Sequence, residues 1–216
     1  MCGRYGLTEP EKVAKRFKVT RKSQLELRPN FNAAPTQTMP IIRMVNGERQ
    51  IDALRWGFSM EFNGVKKPIF NTRADKAFGN FWKKQVKEHR CLIPANYFFE
   101  WQKNGSKKTP FVISLADMEM YAFAGIWRQW TGEDGEKFDA FSILTTEPND
   151  EMETIHNRMP VILHQDEEDT WLSPDTTEKG IAELMFPSED GRLVMYEGSD
   201  RIGNVKNNDK NILIPA

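Results

Sequence analysis

The second residue of the chain offers unusual chemistry. The sequence opens Met1-Cys2-Gly3-Arg4, and an initiator methionine is normally removed when the next residue is small. The freed Cys2 would carry an amine and a thiol on adjacent carbons, so an aldehyde could condense to an imine and then close to a thiazolidine. An α-amine, with an ordinary pKa of about 8, stays partly neutral and nucleophilic at pH 7. We therefore predict that Cys2 is a covalent nucleophile.

Imine formation releases water and needs a proton donor. Glu100 is a lone carboxylate in the aromatic segment 97–101, Tyr-Phe-Phe-Glu-Trp. Strand alternation places Phe98 on one face and Phe99 with Trp101 on the other, so both faces carry aromatic side chains. An inward Glu100 would be a usable acid near neutral pH, because burial disfavours its charged form. The alternative is a solvent-facing Glu100 with no role.

Three more residues could assist the reaction of Cys2 with an aldehyde. His156 lies at a predicted helix-to-strand junction and is the usual proton shuttle near neutral pH, although a lone histidine is more often structural. Asn71 and Arg73 are two residues apart and would project to the same side of an extended chain. Arginine suits phosphate oxygens, and asparagine suits sugar hydroxyls or a carbonyl. A salt bridge or a turn cap is the alternative for this pair.

The elements that must position these residues are mostly strands. Asn46-Gly47 predicts a hairpin between 41–45 and 50–56, and other strands are predicted at 91–101, 110–115, 120–127, 138–145, 159–163, 192–196 and 212–214. The segment 25–32 is predicted to be irregular. Helices are predicted from a capping box at Thr8 and over 75–86, 148–155, 167–172 and 177–185. We predict one α+β domain over 1–216, with a mostly antiparallel, barrel-like sheet and peripheral helices.

The composition of the chain excludes several classes of protein. A net charge of −1 and a pI of about 6.4 argue against a non-specific nucleic-acid binder. A DNA substrate would therefore need a local basic patch or a covalent bond. No apolar run long enough for a membrane span and no signal peptide are present, and two cysteines are too few for a disulfide framework. We expect a cytoplasmic protein without a metal site, in which Cys91 is a small buried hydrophobe.

Several short motifs, taken in order, resemble the SRAP family, the SOS-response-associated peptidase family of abasic-site processing proteins. The resemblance covers nearly the whole chain. The motifs are Met1–Tyr5, Phe31–Pro35, Leu54–Gly57, Asn71–Ala74, Cys91–Ala95, Phe98–Trp101, Ile155–Pro160 and Gly203–Asn207.

This resemblance implies a function and a set of roles. Family members join an N-terminal cysteine to the ring-opened deoxyribose of an abasic site in single-stranded DNA, which shields the lesion from strand breakage. The matching positions imply Cys2 as nucleophile, Glu100 as acid and base, and Asn71 positioning the Cys2 amine or the sugar. His156 would assist sugar ring opening and crosslink reversal. The implied DNA contacts are phosphate contacts by Arg4, Arg73 and Arg158, and base stacking or wedging by Pro35, Trp56 and Trp101.

Further expectations follow from the same resemblance. No cofactor is implied, Met1 is removed by the protein itself or with help, and the partner is single-stranded DNA containing abasic sites. We expect a monomer that meets replication-fork proteins and lies on the nucleoid when bound to DNA. The chain departs from some relatives at Asn157 and Met159, where they carry Asp and Arg, which would weaken phosphate binding.

Three alternatives remain open. Glutamine amidotransferases also begin Met-Cys-Gly, but here Arg4 replaces the usual Ile and Asn46-Gly47-Glu48 fits a turn. Cys2 and His156 could form the nucleophile–base pair of a peptidase. A pure single-stranded DNA binder would keep its function after Cys2→Ala.

Overall fold

The computed structural model describes residues 2–21, 25–132 and 135–216, apart from the side chain of Phe62. The strands within these ranges are β1 (Arg4–Leu7), β2 (Asn30–Ala33), β3 (Thr38–Val45), β4 (Glu48–Trp56), β5 (Phe58–Phe62), β6 (Val65–Ile69), β7 (Asn71–Arg73), β8 (Arg90–Ala95), β9 (Tyr97–Asn104), β10 (Lys107–Leu115), β11 (Tyr121–Thr131), β12 (Lys137–Thr146), β13 (Met159–Pro160), β14 (Ile162–Leu163) and β15 (Leu193–Glu197). The α-helices are α1 (Val13–Arg16), α2 (Lys83–Glu88), α3 (Asp150–Glu153), α4 (Glu168–Leu172) and α5 (Glu178–Glu183). Short 3-10 helices cover Pro10–Lys12, Ala74–Lys76, Asp200–Gly203 and Lys210–Leu213.

Five strands close into a barrel in the order β12, β4, β3, β8, β11 and back to β12. All of these pairings are antiparallel except that of β12 with β4. The short strands β7, β13 and β14 extend the barrel along β12 and β11. The predicted fold, one α+β domain with a mostly antiparallel barrel and peripheral helices, is confirmed.

A second sheet holds the N-terminal strand, in the order β15, β10, β9, β1, β2. The chain passes from the barrel to this sheet at Asn96, between β8 and β9. The Asn96 side chain accepts from the backbone N–H of Thr8 (2.8 Å) and donates to the carbonyl of Glu119 (2.6 Å). The prediction of one continuous strand over 91–101 is therefore wrong, because this side chain stabilises a change of direction between two sheets.

Aromatic side chains fill the space between the barrel wall and β1. Tyr5, Trp56, Phe123 and Phe141 are fully buried. The Trp56 ring lies 5.0 Å from Tyr5 edge-on and 6.3 Å from Phe141 in a stacked arrangement. This packing holds β1, which carries the N-terminal residues, against the barrel.

Local turn signals predict the hairpins correctly. Asn46 and Gly47 have φ angles of 53° and 80°, the geometry of the turn that matches strand twist, and they join β3 to β4. The predicted pairing of 120–127 with 138–145 is confirmed by β11 and β12. Part of the connection predicted between them, residues 133–134, lies outside the described residues.

Helix predictions are less accurate. The Thr8 hydroxyl donates to Asn96 Oδ1 (3.2 Å) rather than capping a helix, and the first helical turn is 3-10. The helix predicted over 75–86 begins only at Lys83. A 3-10 helix replaces the last predicted strand, because the Asp209 side chain caps it by accepting from Asn211 N–H (2.8 Å). In the described part of the chain, none of the helices has the length and hydrophobicity needed to cross a membrane.

Candidate active site

Cys2 lies immediately before β1 and is fully buried. Its thiol donates to the carbonyl oxygen of Arg4 over 3.7 Å. Burial raises the pKa of this thiol well above its ordinary value, and the negative charge of Glu100 raises it further. The thiol and the Glu100 carboxylate are therefore close enough to interact, and the thiol is neutral at rest.

Asn71 holds the backbone of Cys2. It is the first residue of β7, which pairs in parallel with β12 so that Asn71 lies opposite Ile143. Its Nδ2 donates to the carbonyl oxygen of Cys2 (2.8 Å). Its Oδ1 is buried and accepts no hydrogen bond from the described residues, so this oxygen could accept one from an amine beside Cys2.

Glu100 points inward, as the sequence suggests. It lies in β9 with 3% of its surface exposed. β9 alternates as expected: Phe98 belongs to the core cluster that contains Cys2, and Phe99 belongs to a second cluster on the opposite face. Because Arg4 of β1 pairs with Phe99, Glu100 lies level with the residues just before β1. A carboxylate and the candidate nucleophile thus share one end of one strand pair.

His156 lies in the loop between α3 and β13 and is half-buried. Its Nδ1 is 3.0 Å from the backbone nitrogen of Arg158, whose N–H can only donate. The same Nδ1 lies 3.2 Å from the carbonyl oxygen of Arg158, to which it donates in the other tautomer. Gln102 of β9 donates to the carbonyl of Thr154 (2.8 Å), which ties this loop to the strand that carries Glu100.

Arg73 and Arg158 both lie beside Thr145 of β12. Arg73 pairs with it in the strand register, and the Arg158 guanidinium donates to its carbonyl and to its hydroxyl. Burial lowers the pKa of Arg158, and the charge of Arg73 lowers it further. The Arg73 side chain is 56% exposed and paired with Asp75 (2.9 Å). Two cations therefore meet next to the strand that carries Asn71.

The other predicted DNA contacts lie in different surroundings. The Arg4 guanidinium donates to Asn32 Oδ1 (2.8 Å) and to the carbonyls of Ile202 and Gly203 (both 3.1 Å). Pro35 is half-buried in the turn after β2. Trp101 packs against the cluster of Phe99, on the face of β9 opposite to that of Phe98. Phosphate or base contacts by these three residues stay predictions.

Trp56 corrects one prediction. Its side chain is 0% exposed, and its indole N–H donates to the carbonyl of Phe70 (2.9 Å). A ring enclosed in the core cannot stack on a base, so the predicted DNA contact by Trp56 is wrong. This residue instead supports the backbone just before Asn71.

Asn32 is a site-supporting residue for which the sequence predicts no role. It is 1% exposed, accepts from Arg4, and its Nδ2 donates to the carbonyls of Ile202, Asn204 and Asn207. These contacts join the motifs at 31–35 and 203–207 to β1. Both motifs can be recognised in the sequence, but only the fold shows that the motif at 31–35 contacts the motif at 203–207.

The fold and site together define a protein with a buried cysteine just before its first strand, whose carbonyl is bound by an amide and whose thiol is influenced by a buried carboxylate. The family model "SOS response associated peptidase (SRAP)" matches residues 1–205, and the chain belongs to this family. It is 31% identical over 221 residues to the Abasic site processing protein YoqW of Bacillus subtilis, covering 99% of both chains. It is 32% identical to YoaM of the same organism, which carries the same description, covering 99% of this chain and 97% of that one. A crystal structure of a protein from Bacteroides thetaiotaomicron superimposes with a TM-score of 0.85 at 27% identity over the whole of both chains.

Proposed function

We propose that this protein processes abasic sites in single-stranded DNA by forming a covalent bond between Cys2 and the lesion, once Met1 is removed. The observation that supports this proposal is that the Asn71 amide binds the Cys2 carbonyl while the charge of Glu100 raises the pKa of the Cys2 thiol. The names of the relatives support the substrate, since YoqW and YoaM are described as abasic site processing proteins. Met1 itself lies outside the described residues.

The reaction has two bond-forming steps. The freed amine of Cys2 attacks the aldehyde carbon of the ring-opened deoxyribose, with Asn71 Oδ1 accepting an amine hydrogen and holding its direction. Glu100 takes a proton from the nitrogen after the attack and gives a proton to the oxygen that leaves, so that both amine hydrogens end on the released water and the imine forms. The thiol finally adds across the C=N bond, so that a C–S bond forms and the proton moves from sulfur to nitrogen.

The neighbouring residues assist this chemistry. His156 assists sugar ring opening or reversal of the crosslink, since an imidazole ring can both donate and accept a proton. Arg73, which is exposed, would bind a phosphate group beside the lesion, and the positive charge of Arg158 would favour an anion there. A covalent bond also explains how a chain with a net charge of −1 can hold DNA for long periods.

The test is a crosslinking assay with protein whose loss of Met1 is confirmed by mass spectrometry. A single-stranded oligonucleotide with one abasic site should give a shifted band that survives denaturation, and an undamaged oligonucleotide should not. Cys2→Ala should abolish this band, because an amine without a thiol forms only a reversible imine. Glu100→Gln should slow its formation about 100-fold or more, because the proton donor is lost.

Cys91→Ala is the matched control, since Cys91 is also fully buried but is not part of the site. It should crosslink like the unaltered protein. A stable band with Cys2→Ala, or none with fully processed unaltered protein, would refute covalent capture through Cys2.

A further inference from the structure

The guanidinium of Arg73 is bound by a carboxylate two residues further along the chain. Its Nε donates to one oxygen of Asp75 and its Nη2 donates to the other, both over 2.9 Å. Two parallel N–H···O bonds of this kind are the arrangement in which arginine binds either a carboxylate or a phosphate. Asp75 therefore occupies an edge of the guanidinium that would suit a DNA phosphate equally well.

The fold does not depend on this ion pair. Arg73 ends β7, and Asp75 lies in the 3-10 helix Ala74–Lys76 that follows it directly. Within the described ranges, the Asp75 carboxylate is hydrogen-bonded to Arg73 alone. The two side chains are 56% and 46% exposed, and an exposed pair contributes little to stability. The carboxylate is therefore free to act on what Arg73 binds.

Acidic side chains offset the positive charge at this end of β12. Arg73 pairs with Thr145 in the strand register, and the Arg158 guanidinium donates to the Thr145 carbonyl. Glu147 follows two residues after Thr145 and interacts electrostatically with both arginines. The hydrogen bonds from Arg73 lower the pKa of Asp75, so this carboxylate is ionised at neutral pH. Two cations and two anions thus share the surface where a phosphate would bind.

We propose that Asp75 is a specificity-determining residue, whose carboxylate competes with DNA phosphates for Arg73 and so weakens non-covalent binding of all single-stranded DNA. This inference rests on the proposed function. Undamaged DNA offers Cys2 no aldehyde, so weak phosphate binding lets it dissociate. Abasic DNA is retained because the covalent bond does not depend on this competition. The competition exchanges one ion-pair partner for another, and no covalent bond forms or breaks.

The test is Asp75→Asn, which keeps the shape of the side chain and removes its charge. Fluorescence anisotropy titrations with the non-crosslinking Cys2→Ala protein measure the Kd for undamaged and abasic single-stranded oligonucleotides. Asp75→Asn should lower both Kd values about threefold, because the phosphate no longer competes with a carboxylate. A second assay uses protein with Cys2 intact and Met1 removed, and adds undamaged oligonucleotide as a competitor. The amount of competitor that halves the rate of crosslinking should fall about threefold with Asp75→Asn.

Two controls separate this competition from a general effect of charge. Glu26→Gln makes the same change in net charge and breaks a similar exposed pair, with Arg28 at 3.3 Å, and it should leave each Kd unchanged. Asp75→Asn in an Arg73→Gln background should also give no gain, because the contested guanidinium is absent. An equal gain from Glu26→Gln, a gain that persists without Arg73, or no gain from Asp75→Asn would overturn this inference alone. A lack of crosslinking by the unaltered protein would instead overturn the proposed function.

Discussion

Arg73 is the residue through which non-covalent DNA binding is best tested. Its guanidinium is largely exposed and forms a surface ion pair with Asp75, so it can reach a phosphate at small cost. Arg73→Gln should weaken binding of abasic single-stranded DNA several-fold and reduce the slope of log K against log salt by about one. Titrations at several salt concentrations with the non-crosslinking Cys2→Ala protein measure both quantities.

Arg28 provides a matched control for this titration. It is also exposed and paired with an acid two residues away, Glu26, at 3.3 Å. Arg28→Gln therefore makes the same change in net charge and breaks the same kind of ion pair, but at a distance in sequence from the site residues. If both variants changed the salt slope equally, Arg73 would have no specific phosphate contact.

At the same scale, the structure brings together three residues that the sequence singles out, Cys2, Asn71 and Glu100, while their roles stay predictions. Trp56 was predicted as a base contact but is a core residue, since a tryptophan suits either environment and its neighbours in sequence do not distinguish them.

At the scale of elements, α4 is joined to the rest of the molecule by a buried ion cluster. Glu168 is 2% exposed and accepts from two nitrogens of Arg16, at 2.8 and 3.2 Å, while Arg49 of β4 lies 3.5 Å away. Glu168→Gln removes the negative charge and leaves two poorly exposed guanidinium groups without it. We expect a loss of about 3–5 kcal/mol in the free energy of unfolding, measured by urea denaturation.

Asp169 is the neighbouring control for this cluster. It also bonds Arg49, at 2.5 Å, but its side chain is 73% exposed. Asp169→Asn should therefore cost about 1 kcal/mol or less, because water screens an exposed pair. Equal losses for the two variants would show that burial does not set the strength of this cluster.

Elements were predictable where a local signal determines them. The Asn46-Gly47 hairpin is set by two residues that accept positive φ, and the helix predicted from Thr177 begins with that side chain accepting from Gly180 N–H. The break between β8 and β9 was missed because its cause, the side chain of Asn96, acts through Thr8 and Glu119. Those partners are distant in sequence, so local periodicity continues through the break.

At the scale of the whole molecule, the buried acids predict how stability depends on pH. Among the described residues, burial raises the pKa of six side chains above their ordinary values: Cys2, Tyr5, Cys91, Tyr97, Tyr121 and Tyr196. Above about pH 8.5 for the thiols and about pH 10 for the phenols, the unfolded chain releases these protons while the folded chain keeps them. The unfolded state then binds fewer protons, so the free energy of unfolding should fall as pH rises.

Once such a group is ionised only in the unfolded chain, it should lower the free energy of unfolding by about 1.4 kcal/mol for each pH unit. Urea denaturation at intervals between pH 8 and pH 10 measures this slope, and Cys91→Ala isolates one group. The variant loses the packing of a buried thiol, so its free energy of unfolding should be lower at every pH. Between pH 9 and pH 10, however, this free energy should fall less steeply than in the unaltered protein, by the contribution of one group. The tyrosines remain in the variant, so their contribution to the decline is the same in both proteins. Parallel curves below pH 10 would mean that the Cys91 thiol ionises as readily in the folded protein as in the unfolded chain.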